Sequence, residues 1–115
     1  MNFLIVDDNA QMRRMIKTVI ADLADEISEC DDGANALAAF AEYRPDWILM
    51  DVRMKAVDGL TATRNIKAAF NFAKIIIVTN YDDADLRESA RKAGATAYVL
   101  KENLLDLRRI LQLPV

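Results

Sequence analysis

Phe3-Leu4-Ile5-Val6-Asp7-Asp8-Asn9 joins a short apolar run to two adjacent carboxylates and then a turn-forming asparagine. A continuous apolar run of this length, bounded by polar residues, suits a strand buried on both faces, as in a parallel sheet. Working outward, the same kind of run recurs at Ile48-Leu49-Met50, Ile75-Ile76-Ile77-Val78 and Ala97-Tyr98-Val99-Leu100. A weaker run, Glu26-Ile27-Ser28-Glu29-Cys30, alternates polar and apolar residues and suits an edge strand. The strong runs end on groups that carry chemistry: Asp7-Asp8, Asp51, Thr79 and Lys101.

Helical patterns fill the intervals. Over 9–23, Met12, Met15, Ile16, Val19, Ile20 and Leu23 fall on one face, and Arg13, Arg14, Lys17 and Asp22 fall outside it. Segment 33–43 is alanine-rich, with Leu37 and Phe40 as its anchors and Pro45 as its stop. Segment 59–70 follows Asp58-Gly59. Segment 83–93 opens with acids and closes with Arg91-Lys92 before Gly94, which complements the helix dipole and supplies a C-terminal stop. In 102–112, Leu104, Leu107, Ile110 and Leu111 share a face. Alternation of strand and helix argues for an α/β fold with helices on both faces of a five-stranded parallel sheet. Size and strand number favour the flavodoxin-like strand order 2-1-3-4-5.

The chain has 115 residues, enough for one domain spanning 1–115. With 53% hydrophobic and 29% charged residues it is an ordinary globular composition. A single cysteine, Cys30, excludes an internal disulfide, suits a reducing compartment and reads as a buried thiol. No apolar run approaches the ~20 residues that span a bilayer, and no secretory pattern opens the chain, so a cytoplasmic location is expected, with no membrane contact. The net charge of -3 argues against direct nucleic-acid binding by this chain. Histidine is absent, which removes serine–histidine and cysteine–histidine catalysis and imidazole zinc sites.

In a 2-1-3-4-5 sheet, ligands bind beyond the carboxyl ends of the strands, between the first and third. Asp7, Asp8, Asp51, Thr79 and Lys101 converge on that edge. Crowded carboxylates call for a cation, and a donor set of oxygens alone suits Mg²⁺. Asp51 is the candidate nucleophile, because a carboxylate can attack phosphorus to give an acyl phosphate. Lys101 offers a point charge and Thr79 a hydroxyl to a phosphoryl group. Taken singly, each has a plainer reading: a helix cap, a turn residue, a strand end, a solvated lysine. Taken together, each at the carboxyl end of its own strand, they point to one site.

The stretches Ile5-Val6-Asp7-Asp8-Asn9, Leu49-Met50-Asp51-Val52-Arg53-Met54, Ile77-Val78-Thr79 and Tyr98-Val99-Leu100-Lys101 resemble, in content and order, the response-regulator receiver domain of bacterial two-component signalling. The resemblance covers essentially the whole chain. It implies that Asp51 is the phosphoacceptor. It also implies that Asp8, Asp51 and the backbone carbonyl of Arg53 bind Mg²⁺, with Asp7 acting through water. Lys101 would contact the phosphoryl group, and Thr79 with Tyr98 would form a conformational switch. The implied donor is a phosphohistidine on a sensor histidine kinase or a histidine phosphotransfer protein. The implied output is read from the fourth helix, fifth strand and fifth helix by a partner protein or an attached effector domain, or by a second copy in a homodimer formed on phosphorylation. Such a chain is a regulator that assists its own phosphotransfer and dephosphorylation, not an enzyme. Two positions depart from the family pattern: Lys55 follows Met54, and Glu102 follows Lys101, where proline is common. An aspartyl-phosphate phosphatase of the haloacid-dehalogenase type is disfavoured, because Arg53 stands where its acid–base aspartate belongs. A dinucleotide or flavin domain lacks its phosphate loop, since the only glycines are Gly33, Gly59 and Gly94. A degenerate receiver that is never phosphorylated is disfavoured by the intact charged positions.

Several surface expectations follow. The first helix is expected to dock the kinase through Ala10, Gln11 and Arg14, with Met12 and Met15 at the near end of its apolar face and Met15 read mainly as core. Arg53 and Tyr81 are expected to overhang the phosphoryl group and obstruct water. Leu105, nearly opposite the apolar face of the last helix, is expected on the output surface, with Arg108, Arg109, Asp82, Asp83 and Asp85 as a charged rim. Trp47 reads as packing and Arg44 as solvated. From the start at Met1 the receiver-like unit is expected to be N-terminal, and residues 1–115 carry no expected effector. The sequence leaves open whether the unit stands alone or is part of a longer regulator.

Overall fold

Four apolar runs form strands, and three of them are buried nearly from end to end. These are β1 (Asn2–Val6), β3 (Trp47–Met50) and β4 (Ile75–Thr79). The fourth, β5 (Ala97–Leu100), and the alternating run β2 (Glu26–Cys30) are less covered, as edge strands must be. The computed structural model describes residues 1–112; Leu113-Pro114-Val115, the end of the expected domain, lie outside the described residues. The sheet is five-stranded and parallel in the order β2-β1-β3-β4-β5. Five helices connect and cover it: α1 (Ala10–Ile20), α2 (Ala36–Tyr43), α3 (Gly59–Ala69), α4 (Ala84–Ala93) and α5 (Asp106–Leu111). No helix among the described residues is long and apolar enough to cross a membrane.

The alternation of strand side chains divides the core in two. Leu4, Val6, Ile48, Met50, Ile75 and Ile77 pack under α2, α3 and α4 with Phe40, Ile66 and Ala90. Phe3, Ile5, Leu49, Ile76, Val78 and Val99 pack on the other face with Ile16 and Ile20 of α1 and Leu107 and Leu111 of α5. Each fully buried large side chain contributes about 1.5–3 kcal/mol. The register sets Val6 beside Met50, and the amide of Asp51 donates to the Val6 carbonyl at 2.8 Å. The residues that follow these two strands therefore emerge side by side.

Caps set the helix ends. Asn9 caps α1, Asp58 caps α3 and Asp83 caps α4 through side-chain oxygens that accept from backbone amides. Gly94 ends α4 at φ 106°, and Arg44 ends α2 at φ 48°. Three expected helices are partly 3-10: residues 21–23 after α1, 33–35 before α2 and 101–103 before α5. Tightening of this kind is common where a helix begins or ends.

Several side chains depart from expectation. Leu37 is exposed, because Ala36, Ala39 and Phe40 face the sheet and Leu37 lies one residue, about 100°, round the helix. Met15 is 48% exposed for the same reason, beside the buried Ile16. Cys30 is half-buried rather than buried, as the last residue of an edge strand. Arg44 is exposed, but its guanidinium lies over the Phe70 ring at 4.5 Å. Trp47 packs at the foot of β3 as expected. Among the described residues no peptide bond is cis, so Lys101–Glu102 is trans.

Candidate functional site

Asp7 follows β1, Asp51 follows β3 and Lys101 follows β5, and the three meet above the carboxyl edge of the sheet. Lys101 Nζ lies 2.9 Å from Asp7 Oδ2 and 3.2 Å from Asp51 Oδ1. Both carboxylates are buried, at 1% and 7% exposure. Asp8 is exposed at the rim, and one carboxylate oxygen from each of Asp7, Asp8 and Asp51 lies within 4.8 Å of the others. Asp7 Oδ1 accepts from the Asn9 amide at 2.8 Å, and Asp51 Oδ1 accepts from the Val52 amide at 2.9 Å. Apart from its ion pair with Lys101, the fully buried Asp7 Oδ2 has no hydrogen-bond donor.

The electrostatics follow from this crowding. Burial, and next the charge of Asp7, push the Asp51 carboxyl up to about 6, although Lys101 and the Val52 amide pull the other way. Burial works against the Lys101 ammonium, but hydrogen bonding to Asp7 and the charges of Asp51 and Asp7 outweigh it and raise its pKa. Three carboxylates thus share one ammonium. The set is short of positive charge, its donors are all oxygens, and Asp7 keeps an oxygen with unused acceptor capacity. A hard divalent cation fits those features, and zinc or copper does not.

Thr79 is fully buried at the end of β4, and its Oγ1 accepts from the Tyr81 amide at 3.4 Å. The Tyr98 hydroxyl donates to the Tyr81 carbonyl at 2.6 Å, and the Arg87 guanidinium lies over the Tyr98 ring at 4.5 Å. Arg53 and Tyr81, from the loops after β3 and β4, stack on each other, with the guanidinium 4.6 Å from the ring centre. Asp7, Asp8, Asp51, Thr79 and Lys101 therefore stand on this one edge, with Arg53 and Tyr81 in the loops beside them.

Two supporting residues escaped the sequence reading. Arg13 donates to the Asp7 carbonyl at 2.7 Å and pairs with Glu29 at 2.9 Å, which ties α1 to the end of β1. Gly59 comes so close to the phosphoacceptor candidate that a Cβ there would lie 1.8 Å from the Asp51 carbonyl oxygen. The only signals were a cation one turn into the first helix and a glycine after a helix cap.

The surface expectations need correction on the fifth helix. Leu105 is 71% exposed, but it lines a groove with Met15, Val19 and Leu104, on the α1 side of the molecule. Arg108 is held there too, by Asp22 at 2.6 and 3.0 Å and by the Val19 carbonyl at 3.0 Å. Neither belongs to the face made by α4, β5 and α5. Arg109 and Ile110 do adjoin Tyr98 on that face.

Comparison with known proteins agrees with this fold. The family model for the response regulator receiver domain matches residues 3–112. The regulatory protein AtoC of Escherichia coli K12 is 36% identical over 96% of this chain, which spans 25% of AtoC. The chemotaxis protein CheY of Bacillus subtilis is 36% identical over 85% of this chain and 82% of its own length. The crystal structure of chemotaxis protein CheY4 from Vibrio cholerae superposes with a TM-score of 0.87 at 27% identity, covering 96% of this chain and 95% of that one. Receiver domains are signalling switches of two-component systems. A match across residues 3–112, on a chain with this strand order, makes the protein a member of the response regulator receiver domain family.

Proposed function

We propose that the chain is a phosphorylation-activated switch in which Asp51 accepts a phosphoryl group from a phosphohistidine on a sensor kinase or histidine phosphotransfer protein. The observation that carries this reading is the meeting of Asp51, Asp7 and Lys101, buried and short of positive charge, at the carboxyl edge. One Asp51 carboxylate oxygen attacks phosphorus, the phosphorus–nitrogen bond of the donor breaks, and an acyl phosphate remains on Asp51. Lys101 turns its ammonium to the incoming oxygens and Thr79 offers its hydroxyl. Asp8, Asp51 and the Arg53 backbone carbonyl would hold Mg²⁺, with Asp7 acting through water, and the ion would screen the carboxylates and the phosphoryl oxygens. Arg53 and Tyr81 cover the approach of water and so lengthen the phosphate's lifetime.

The signal leaves through Thr79 and Tyr98. When Thr79 turns to the phosphoryl group, the Tyr81 loop loses the bond it makes to the threonine oxygen. The loop carries the carbonyl that holds the Tyr98 hydroxyl, so the packing of α4, β5 and α5 shifts between two populations. An output protein, an effector domain or a second copy reads that face. The kinase docks on α1 beside the site, where Met15 is exposed. Nuclear magnetic resonance with Mg²⁺ and beryllofluoride tests the reading: amide shifts should change at Asp51, Thr79, Tyr81 and Tyr98 and along α4. Shifts confined to residues away from the carboxyl edge would contradict it.

A further inference from the structure

Asp32 stands outside the acidic cluster, yet it grips the loop that closes it. Its Oδ1 accepts from the Ala34 amide at 2.9 Å and the Val57 amide at 3.0 Å, and its Oδ2 accepts from the Ala56 amide at 2.9 Å. The first bond caps the short turn before α2. The other two reach across 24 and 25 residues of chain to the loop between β3 and α3. Its neighbour Gly33 makes the same contact through the backbone: a Cβ there would stand 2.4 Å from the Val57 carbonyl oxygen and 3.2 Å from that of Asp58. At the far end of the loop, the Gly59 amide donates to the Val52 carbonyl at 2.7 Å. The loop, residues 52–58, is therefore pinned at Val52 by Gly59 and at Ala56–Val57 by Asp32. Between the two pins lies Arg53.

We propose that Asp32 is a positioning residue for the site: by anchoring Ala56 and Val57 it fixes the path of the loop and so the place of the Arg53 carbonyl. This rests on the reading that the carbonyl serves the Mg²⁺ site. Asp7 and Asp51 issue directly from paired strands and are placed by the sheet. The Arg53 carbonyl has no sheet bond; besides the two pins, its segment is held by the Val52 amide on Asp51 and by the stack of Arg53 on Tyr81. A carboxylate with two oxygens is what the arrangement needs, since three amide donors converge on it from two directions. Outer partners of this kind set metal affinity at about the 10–100-fold level.

The test separates the loop anchor from the helix cap. Asp32→Ser retains a hydroxyl able to cap Ala34 but too short to reach the loop. Asp32→Asn retains Oδ1 and turns an NH₂ group toward the Ala56 amide. Asp83→Ala removes a cap from α4 and serves as the structural comparison. MgCl₂ titration by nuclear magnetic resonance gives the Kd, thermal melting gives stability, and hydrogen exchange gives the protection of Ala56 and Val57. Asp32→Ser should weaken the Mg²⁺ Kd about tenfold and speed exchange at Val57 while melting close to wild type. Asp32→Asn should fall between the two. Asp83→Ala should melt lower with an unchanged Kd. An Asp32→Ser or Asp32→Asn Kd equal to wild type would overturn the assignment. Wild-type protein with no saturable Mg²⁺ binding would instead overturn the reading of the site, and this assignment with it.

Discussion

At the carboxyl edge of the sheet a buried lysine faces carboxylates; at the amino edge Lys74 and Arg44 face aromatic rings. The Lys101 side chain is only 9% exposed and sits between two buried carboxylates. Lys74 lies 4.5 Å over the Trp47 ring, and Arg44 lies 4.5 Å over Phe70, which itself stacks against Phe40 at 4.8 Å. Trp47 opens β3 and Lys74 precedes β4, so these contacts close the end of the sheet opposite the site. A cation over a ring keeps its head near water while its stem covers apolar surface. A cation between buried carboxylates gives up its hydration and is held only by its partners. At the amino edge Lys74 and Arg44 serve packing, and at the carboxyl edge Lys101 is held by carboxylates that outnumber it.

The comparison can be broken from either side. Phe40→Ala removes the large anchor of α2 and opens a cavity beneath it. Chemical denaturation should show a loss of about 4 kcal/mol, with phosphoryl acceptance by the folded protein unchanged. A loss of acceptance in the folded variant would mean that the two edges are not separate. At the other edge the sign reverses. Burial and the Asp7 charge push the Asp51 carboxyl up to about 6 in the fold from an ordinary value of 3.8. A carboxyl raised in this way favours the folded state while it is protonated, and that contribution is lost as pH rises through the folded value. Asp51→Asn should therefore stabilise the metal-free protein by roughly 2 kcal/mol near neutral pH, because it removes a buried charge. The gain should fade as pH falls from about 6 and be gone below 3.8, where wild-type Asp51 is protonated in both states. Denaturation profiles of the two proteins across that range check this.

Smaller effects sharpen the contrast. Replacing both Arg53 and Tyr81 by alanine removes the stacked pair over the site. Loss of phosphate, followed by intact mass, should become several-fold faster while the melting point changes little. At the amino edge, Lys74→Ala should cost about 0.5–1 kcal/mol through its lost contact with Trp47 and leave phosphate lifetime as it was. A change in lifetime there would place the amino edge in the switch.

The strand order and the residues that end β1, β3, β4 and β5 were legible in the sequence. A strand buried on both faces announces itself as a continuous apolar run, and the residue directly after its last apolar position lies at the sheet edge whatever the length of the loop. Asp7, Asp51, Thr79 and Lys101 were found that way. Helix faces were harder, since one residue turns a side chain by about 100°. That is why Leu37 and Met15 were assigned inward and Leu105 to the wrong surface. The partner of Arg108, Asp22, lies 86 residues away, and nothing local marks the pair. Asp32 bonds to backbone amides, and Arg13 to the Asp7 carbonyl as well as to Glu29; backbone groups carry no residue-type signature at all.

The most direct test of the account is phosphoryl transfer itself. Wild-type protein and Asp51→Asn are incubated with acetyl phosphate or a phosphorylated histidine phosphotransfer domain, each with Mg²⁺ and with a chelator, and the intact mass is read. Wild type should carry one phosphoryl group with Mg²⁺ and none with the chelator, and Asp51→Asn should carry none under either condition. A stoichiometric phosphoryl group on Asp51→Asn, or on wild type without the metal, would contradict it.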